Sequence, residues 1–428
     1  MDDTPQEQMR DERMERKHSY RRDTDVKDNM GLFEKMCAGD KKAGAFCLRA
    51  KMDMSSDNGT LRDPVLYRAN AMPHHRTGTK YKAYPTYDLA CPIVDSHEGV
   101  THALRTTEYN DRNAQYQWII KALKLRPVLV HEFSRLNFVY TLLSKRKLAW
   151  FVDNGKVSGW DDPRFPTIRG VLRRGVSVPA LKEFIRSQGA SRNIVEMEWD
   201  FFWSLNKREF EETAPRLMAV ASDTAVKLTV TNFDAECGNS AKAVGRSIPV
   251  HPKNPALGVR CLRLSKTVLL EGSDANAVAE GQLITLMRWG TVKITAVEKD
   301  ADGTVTALSG AFDKDGDFKK TAKLSWLAET DAAVSAVLCE YDHLITKKKV
   351  EADDKVEDLI NPHSQATMNA LCDPLVRNLQ HGQVVQLERR GFYRVDALAR
   401  GTELARLILI PDGKVNAMSA LSGSLGHR

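Results

Sequence analysis

The sequence predicts an α/β part followed by an all-β part, and three observations support this. Helical and strand-like segments alternate as far as about residue 150. Mostly helical segments then continue to about residue 212. From about residue 213, short runs of alternating apolar and polar residues are separated by turns rich in Gly and Asp. Such runs are typical of an antiparallel sandwich or barrel, whereas the earlier alternation is typical of a parallel sheet.

The N-terminal 83 residues are polar and have an irregular pattern. Thr4 and Pro5 stand ahead of Glu7, which is a helix-start signal, and residues 45–54 have the composition of a strand.

The α/β alternation is clearest after residue 84. CPIVDS (91–96) and RPVLVHEF (126–133) predict buried strands, and DRNAQYQWIIKALKL (111–125) predicts a helix between them. The apolar face of this helix is expected at four positions, Trp118, Ile119, Ala122 and Leu123. The three segments together predict part of a parallel sheet.

The helical segment from 151 to about 212 contains a well-marked helix. Pro179 lies near its start and Gly189 just after its end, which is the usual asymmetry of helix termini. Residues 163–170 (PRFPTIRG) predict a connector, because two prolines interrupt them.

The all-β part contains six strand-like runs, which are 225–230, 290–298, 303–310, 322–329, 382–395 and 405–410. About 200 residues of this kind suit two barrels better than one. Residues 414–428 are predicted to be a disordered tail.

Composition excludes several classes of protein. The formal net charge of +7 fits nucleic-acid binding without requiring it. Seven cysteines without a CxxC pair suggest neither a disulfide framework nor a zinc ribbon, and the turns PHHRTG (73–78) and DKDGD (313–317) are expected to be surface features without a metal. No apolar run reaches about 18 residues, so no membrane span is expected. The N-terminus has no apolar secretory region and is too acidic for a transit peptide.

One segment carries most of the excess charge. From Ser144 to Arg174 there are eight Lys or Arg residues and three Asp, and aromatic and glycine residues are interleaved with them. A solvated basic face would be the ordinary explanation. Cations interleaved with aromatics and glycines favour a surface for a nucleotide or a nucleic acid instead.

Four segments resemble the class I aminoacyl-tRNA synthetases, and specifically glutamyl-tRNA synthetases of the eukaryotic cytosolic type. LLSKR resembles the KMSKS loop of that class. The four matching segments, one of which contains LLSKR, occur in the family's order, and they are RDPVLYR (62–68), YPTYDLACPIVDSHEGVTHALRTTEY (84–109), EFSRLNFVYTLLSKRKL (132–148) and GWDDPRFPTIRGVLRRG (159–175).

The resemblance implies an architecture of partial Rossmann-like catalytic domain, helical connecting subdomain and two antiparallel β-barrels. The domains expected from it are an acceptor-stem-binding insertion (1–83), the C-terminal half of the catalytic domain ending in the SKR loop (84–150), a helical tRNA-stem-contact subdomain (151–212) and an anticodon-binding double barrel (213–413).

The implied reaction joins glutamate to tRNA(Glu) through glutamyl-adenylate, with ATP and Mg²⁺. Lys145 would contact the triphosphate as negative charge develops, and Ser144 would support the loop. The resemblance also assigns four residues to the ATP pocket: Thr106, Arg135, Leu136 and Leu143.

The amino-acid substrate would face Tyr87, Arg105 and Val130. Glutaminyl-tRNA synthetases carry a neutral residue, commonly cysteine, at the position of Arg105 and tend to have glutamine at that of Val130. A guanidinium suits a γ-carboxylate and leaves a charge unpaired against an amide, so glutamate is expected over glutamine.

The resemblance places tRNA contacts in three segments. Residues 191–193 (Ser191, Arg192 and Asn193) would lie near the inside of the tRNA, and Gln386 and Arg389 match anticodon readers of glutaminyl enzymes. Arg173 and Arg174 would contact either the RNA backbone or a neighbouring acid such as Asp162.

The family's first catalytic half is missing from the sequence. No HxGH signature occurs in the 428 residues, and the chain starts at a point that resembles the interior of the acceptor-binding insertion. We expect an incomplete chain that is nearly inactive alone but able to bind tRNA, with any multi-synthetase contacts made through the missing N-terminal region. The family implies a cytoplasmic protein.

Two alternatives remain open at this stage. One is a glutaminyl-tRNA synthetase. The other is a non-catalytic tRNA-binding relative. The LLSKR motif and Arg105 argue against it, because only catalysis needs them and both are intact.

Overall fold

The computed structural model describes residues 1–237 and 243–413, and the predicted tail at 414–428 lies outside the described residues. Ten α-helices and 23 strands lie within the described ranges. The chain divides into two compact units. The first comprises Met1–Leu136 and Ala190–Val195, and the second comprises Asn137–Gly189 and the residues from Glu196 onward.

The first unit contains four helices and five strands. They are α1 (Gln6–Met14), α2 (Val26–Ala38), β1 (Cys47–Arg49), β2 (Val65–Ala69), β3 (Ala83–Pro85), α3 (Tyr87–His97), β4 (His102–Thr106), α4 (Asn113–Ala122) and β5 (Leu129–Phe133). Strands β1, β2 and β3 form an antiparallel sheet. Helix α1 begins directly after Pro5, as predicted.

Strands β4 and β5 form a parallel pair with α4 as the crossover between them, so part of a parallel sheet is present as predicted, but β4 lies at 102–106 and not at the predicted 91–96. Arg105 lies opposite Glu132 in this register. A small buried core is formed by Ala103 of β4, Tyr116 and Ile120 of α4, and Val128 just before β5. The helix predicted at 111–125 and the strand predicted at 126–133 are therefore confirmed.

The strand predicted at 91–96 is wrong, because this segment belongs to helix α3. Pro92 lies inside the helix, where proline is normally unfavourable. Thr86 at the N-cap position and Asp88 in the first turn are ordinary helix-start signals that outweigh it. The helical periodicity brings every fourth residue of the segment to one face, which matters for the site below.

The face predicted for α4 is also partly wrong. The buried residues are Gln115, Tyr116, Ile119 and Ile120, whereas Trp118 is 39% exposed and Leu123 is 50% exposed. Tyr116 is buried although it carries a hydroxyl, because that hydroxyl has a hydrogen-bond acceptor inside the first unit.

The second unit begins with a largely helical part. Its elements before the large sheets are β6 (Asn137–Phe138), α5 (Lys145–Asp153), α6 (Ile168–Arg173), α7 (Val178–Gln188), β7 (Glu196–Met197) and α8 (Trp199–Glu211). The helix expected between Pro179 and Gly189 is confirmed as α7. The predicted connector at 163–170 ends earlier than expected, because Thr167 caps α6 by accepting a hydrogen bond from the Gly170 backbone at 3.0 Å.

Aromatic stacking fixes the strand that leads into the SKR loop. Phe138 of β6 stacks on Trp199 with ring centres 4.1 Å apart and on Phe184 at 5.4 Å. Trp199 Nε1 donates a hydrogen bond to the Val139 carbonyl at 3.2 Å. The chain therefore enters the loop from a rigid support.

The remaining elements are β8 (Arg216–Leu217), β9 (Ala219–Ala221), β10 (Val226–Val230), α9 (Phe233–Cys237), β11 (Val244–Pro249), β12 (Val259–Leu264), β13 (Thr267–Leu270), α10 (Gly272–Asn276), β14 (Leu283–Leu286), β15 (Gly290–Lys299), β16 (Val305–Asp313), β17 (Ala322–Leu324), β18 (Trp326–Ala328), β19 (Val334–Tyr341), β20 (Gln365–Cys372), β21 (Val384–Leu387), β22 (Gly391–Ala397) and β23 (Ala405–Ile410). Each of the six predicted runs overlaps at least one of these strands.

Two seven-stranded sheets account for most of these strands. We call the sheet with order β17-β14-β15-β16-β10-β13-β18 sheet A, and the sheet with order β8-β21-β22-β23-β19-β20-β9 sheet B. Both are mainly antiparallel, with two parallel pairs each. Each has its own apolar core, centred on residues such as Leu228 and Leu286 in sheet A and Leu338 and Leu387 in sheet B.

Chain connectivity requires both sheets to curl. Strands β17 and β18 occupy opposite edges of sheet A, yet only Ser325 separates them in sequence. Strands β8 and β9 occupy opposite edges of sheet B and are separated only by Met218. The two edges of each sheet must therefore lie close together, as in a nearly closed barrel. The predicted fold class, α/β followed by two barrels, is confirmed.

Candidate functional site

The Arg105 side chain lies in a polar pocket of the first unit and is 9% exposed. Its Nη2 lies 3.0 Å from the Cys91 sulfur and 3.9 Å from Oδ2 of Asp95. Its guanidinium carbon lies 4.4 Å from the centre of the Tyr116 ring, within the range of a cation–π contact, and 5.9 Å from that of Tyr87. The structure therefore brings Arg105 together with Tyr87, as the resemblance implies.

Helix α3 presents the polar side of this pocket. Tyr87, Cys91 and Asp95 follow one another at intervals of four residues, so they share one helix face. The Tyr116 hydroxyl donates to Asp95 Oδ2 at 2.9 Å, and the Cys91 thiol donates to the same oxygen at 3.5 Å. Burial raises the pKa of Cys91 and also that of Tyr116, so both groups stay protonated and able to donate.

Val130 contributes apolar surface to the same unit. It is partly buried on β5 and packs against Ala103, Tyr116, Ile120 and Val128. It thus supports the ring on which the Arg105 guanidinium lies.

The ATP residues expected in the first unit lie at the C-terminal ends of β4 and β5 and just beyond them. Thr106 ends β4, and its hydroxyl donates to a Glu108 carboxylate oxygen at 3.4 Å. Arg135 forms an ion pair with Glu108 at 2.8 Å, and both side chains are about half exposed. Leu136 is partly buried. The carboxyl ends of parallel strands are the usual place for a ligand in this kind of sheet.

The SKR loop, residues 142–147, leads into helix α5 of the second unit. Leu143, Ser144 and Lys145 are exposed, and Ser144 occupies the N-cap position without a side-chain capping bond. Beyond them, Leu148 and Phe151 anchor the helix in an apolar core with Phe165. The first backbone N–H groups of a helix attract anions, so this end of α5 can receive a phosphate.

Lys147 has a different environment from Lys145. Its ammonium donates to the backbone carbonyls of Glu351 and Asp354, both at 3.1 Å. These carbonyls belong to the long connection between β19 and β20 of sheet B. Lys147 therefore ties the start of α5 to that connection, whereas the Lys145 side chain extends into solvent.

The two arginines expected to contact RNA are both engaged by protein groups. Arg173 binds Asp396 through two hydrogen bonds of 2.7 and 2.9 Å, which raise the pKa of the guanidinium above its ordinary value. Arg174 is 5% exposed, and its Nη2 donates to the Tyr341 carbonyl. Burial lowers the pKa of Arg174 to about 10. Of the two alternatives, a neighbouring acid fits Arg173, although it is Asp396 and not Asp162. An RNA contact does not fit the burial of Arg174.

Residues 191–193, by contrast, are exposed. The Ser191 hydroxyl accepts a hydrogen bond from the Asn193 backbone at 3.1 Å, and the Ser191 carbonyl accepts one from Ser134 at 2.8 Å. The side chain of Arg192 is accessible to a ligand.

The proposed anticodon readers lie in and beside the turn between β21 and β22. Gln386 is partly buried, and its Oε1 atom has no hydrogen-bond partner among the described residues. Arg389 has a left-handed backbone with φ of 67° and forms a two-bond ion pair with Asp274. The unpaired Gln386 acceptor is itself shielded from solvent, and the Arg389 guanidinium is already paired, so neither group is open to a base in this structure.

Sequence reasoning missed two features. The first is the role of Cys91, Asp95 and Tyr116 around Arg105, which the spacing of four residues would have indicated had 91–96 been read as a helix. The second is a basic tip after β16, where Phe318 is 57% exposed beside Lys319, Lys320 and Lys323. The sequence FKKTAK (318–323) could have indicated this feature, since an exposed aromatic residue among lysines favours a nucleic-acid surface.

Comparison with known families agrees with these observations. Residues 1–212 match the tRNA synthetases class I (E and Q), catalytic domain. Residues 214–313 and 323–396 each match an anti-codon binding domain of the same group. The chain belongs to the class I tRNA synthetases of the E and Q type. The second and third matches correspond to the halves of the all-β part that contain most of sheet A and most of sheet B.

This synthetase chain is similar to cytoplasmic glutamate–tRNA ligases. It is 48% identical to that of Arabidopsis thaliana and 46% identical to that of Saccharomyces cerevisiae, over 97% and 96% of the chain respectively. It is 47% identical to the bifunctional glutamate/proline–tRNA ligase of Mus musculus over 99% of the chain. The chain spans 57% of the length of the first two proteins and 28% of the third.

Two further findings apply to the synthetase chain. Within residues 1–237 and 243–413, no helix is both long and apolar enough to cross a membrane. Over the same residues, no three side chains of His, Cys, Asp or Glu come together as metal ligands.

Proposed function

We propose that the protein to which this chain belongs attaches glutamate to tRNA(Glu) at the expense of ATP, as a glutamate–tRNA ligase. The buried Arg105 guanidinium is the observation that carries this proposal, because it supplies a fixed positive charge in a pocket with Tyr87. Its support comes from the three matching family domains and from the relatives named glutamate–tRNA ligase.

Arg105 selects the side-chain carboxylate of the amino acid. The structure gives it one hydrogen bond, through Nη2 to Cys91. A guanidinium has five N–H donors, so two can form a bidentate pair with a γ-carboxylate. Glutamine offers no charge to the guanidinium, and its amide nitrogen needs an acceptor, whereas Arg105 presents only donors. Glutamate is therefore preferred over glutamine.

Lys145 acts on the phosphates of ATP, with Mg²⁺ as the accompanying counter-ion. Its exposed ammonium stands at the start of α5, where the Ser144 hydroxyl and the first backbone N–H groups also present donors. A cation that strengthens its contact as charge develops on the phosphate accelerates adenylate formation. Thr106, Arg135, Leu136 and Leu143 contribute to binding the nucleotide.

The tRNA is bound by residues 191–193 and by the two sheets. Arg192 is available for the phosphate backbone, and Phe318 with its neighbouring lysines for a stacked base. Gln386 reads a base edge only once its side chain turns outward, because its Oε1 atom is buried. The names of the relatives support a cytoplasmic location and, through the bifunctional enzymes, an association with further domains or partner synthetases.

A charging assay tests the proposal. Because the chain has no HxGH signature, it is compared with a chimera in which it replaces the aligned 57% of the Arabidopsis relative. Each protein is incubated with ATP, Mg²⁺, tRNA and labelled glutamate or labelled glutamine. The chimera is expected to form glutamyl-tRNA and not glutaminyl-tRNA, whereas the chain alone binds tRNA without charging it.

The other outcomes identify the alternatives. Preferential charging with glutamine by the chimera would indicate a glutaminyl enzyme. A chimera that binds tRNA but charges neither amino acid, beside an active Arabidopsis enzyme, would indicate a non-catalytic relative.

A further inference from the structure

The ion pair between Arg105 and Asp95 is unusually long for two groups that share a buried pocket. Their nearest charged atoms are 3.9 Å apart, and both side chains are largely buried. The chain forms much closer pairs elsewhere, as between Arg173 and Asp396 with two bonds of 2.7 and 2.9 Å. Something must therefore keep Asp95 from closing on Arg105.

One oxygen of the Asp95 carboxylate, Oδ2, accepts hydrogen bonds from two uncharged donors. Tyr116 donates its hydroxyl to Oδ2 at 2.9 Å, and Cys91 donates its thiol to the same oxygen at 3.5 Å. This is also the oxygen nearest to Arg105. A carboxylate oxygen that already accepts two hydrogen bonds has little capacity left for a short charged bond.

Tyr116 also holds Arg105 directly. The guanidinium carbon lies 4.4 Å from its ring centre, so the ring face stabilises the cation while its hydroxyl binds the nearby anion. One side chain thus separates two opposite charges by contacting both of them.

We propose that Tyr116 is a positioning residue for amino-acid selection, because its hydroxyl restrains Asp95 and so leaves the Arg105 guanidinium open to a substrate carboxylate. The geometry of this inference is independent of the proposed function, whereas its consequence for amino-acid selection rests on that function. If Asp95 closed on Arg105, the guanidinium would be neutralised by the protein itself. The pocket would then lose its preference for an acidic side chain.

Removal of one hydroxyl tests this directly in the full chain. In Tyr116→Phe the ring remains for the cation–π contact, while Asp95 Oδ2 loses its shorter hydrogen bond. The crystal structure of this variant is expected to show the pair closed, with a nitrogen–oxygen distance near 2.8 Å, as is typical of charged hydrogen bonds. A pair that stays near 3.9 Å would overturn the proposal.

Ligand binding provides the second readout, with L-glutamate and L-glutamine as the probes in calorimetry. Tyr116→Phe is expected to weaken glutamate binding about tenfold, equivalent to about 1.4 kcal/mol, and to leave glutamine binding within about twofold. The double variant Tyr116→Phe with Asp95→Asn should recover most of the lost glutamate affinity, because a neutral amide cannot close on Arg105 as a charge. A purely structural role for Tyr116 predicts the opposite, a double variant at least as impaired as the single one.

Tyr84→Phe is the matched control. It removes a buried hydroxyl from the same unit, and that hydroxyl has no hydrogen-bond partner among the described residues. Its glutamate affinity should equal that of the unmodified chain. If the pair closes in Tyr116→Phe but glutamate binding does not change, the positioning stands and Arg105 is not the glutamate selector, so the proposed function fails instead.

Discussion

Arg288 and Arg389 occupy equivalent turns in the two seven-stranded sheets. Each forms an ion pair with an acidic residue that lies in or between the strands of the other sheet. Both have left-handed backbones, with φ of 66° and 67°. Arg288 binds Glu388 and Arg389 binds Asp274. The two contacts are reciprocal, so the sheets are joined by a pair of exchanged arginines.

The same reciprocity extends to the strands. The pairing order and strand directions of sheet A repeat in sheet B, so that β14 corresponds to β21 and β15 to β22. Strands β8 and β9 come just before the strands of sheet A in the chain, yet they form the two edges of sheet B. Strands β17 and β18 come just before the strands of sheet B, yet they form the two edges of sheet A. The all-β part is therefore two repeats that exchange their edge strands. Each sheet is complete only with strands from the other repeat.

The first prediction separates stability from RNA reading at Arg389. If its ion pair with Asp274 is structural, Arg389→Ala and Asp274→Asn should each lower the free energy of unfolding by about 1–2 kcal/mol, since both remove a partly buried charged hydrogen bond. Urea denaturation measures this. A glycine at position 389 should cost less than alanine, because glycine tolerates positive φ.

Binding of tRNA gives the contrasting readout for this pair. An anticodon role for Arg389 would make Arg389→Ala lose tRNA affinity while Asp274→Asn retains it or gains it. Equal tRNA binding by both variants, with both destabilised, would remove Arg389 from the anticodon readers.

The sequence predicted most of the strands but not the exchange between sheets. Period-two patterns identify segments such as 290–298 and 405–410 from local information. Which strand pairs with which depends on contacts between distant segments, and nothing in the letters near β8 or β17 indicates that they leave their own repeat. Local patterns cannot contain that information.

At the site, the resemblance pointed to Arg105 and the SKR loop, whereas the residues that hold them come together only in the folded chain. Cys91, Asp95 and Tyr116 come from two helices, one of which was misread because Pro92 and a run of apolar residues looked like a strand. The acids and carbonyls that bind Arg173 and Lys147 lie about 200 residues away in sequence. Such partners are fixed by the tertiary fold alone.

A second prediction distinguishes two lysines of the SKR loop. Lys145→Ala should leave the free energy of unfolding unchanged and lower the charging rate of the chimera about 10²- to 10³-fold, because its exposed ammonium is free to act on phosphate. Lys147→Met should instead destabilise the chain by about 1–2 kcal/mol, since two carbonyls lose their donor. Thermal denaturation and charging of both variants measure this. Equal stability losses would contradict the assignment.

A third prediction concerns pH and His343. Burial, reinforced by the Arg174 cation, lowers the pKa of His343 from 6.5 to about 3. The folded chain therefore keeps this ring neutral, while the unfolded chain binds a proton below about pH 6.5. Stability attributable to His343 is present above that pH and is lost as the pH falls towards 3.

The variant His343→Phe isolates this contribution. It preserves the stacking on Tyr140, whose ring centre is 4.6 Å away, but cannot titrate. Between pH 7 and pH 5, the unmodified chain should lose about 2 kcal/mol more stability than the variant in urea denaturation. Parallel losses in the two proteins would show that His343 is protonated in the folded state.

The last prediction tests amino-acid selection at Arg105 itself. Arg105→Gln removes the positive charge and keeps a hydrogen-bonding side chain in the pocket. In the chimera, kcat/KM for glutamate should fall about 10²- to 10³-fold, while kcat/KM for glutamine changes little or rises, because an amide needs no counter-charge. Arg126→Gln is the matched control in the same unit, since Arg126 donates only to backbone carbonyls such as that of Val100, at 2.6 Å. Arg126→Gln should lower the stability but leave the ratio of kcat/KM for glutamate to kcat/KM for glutamine unchanged. A shift of that ratio in both variants would mean that the pocket responds to packing and not to the charge of Arg105.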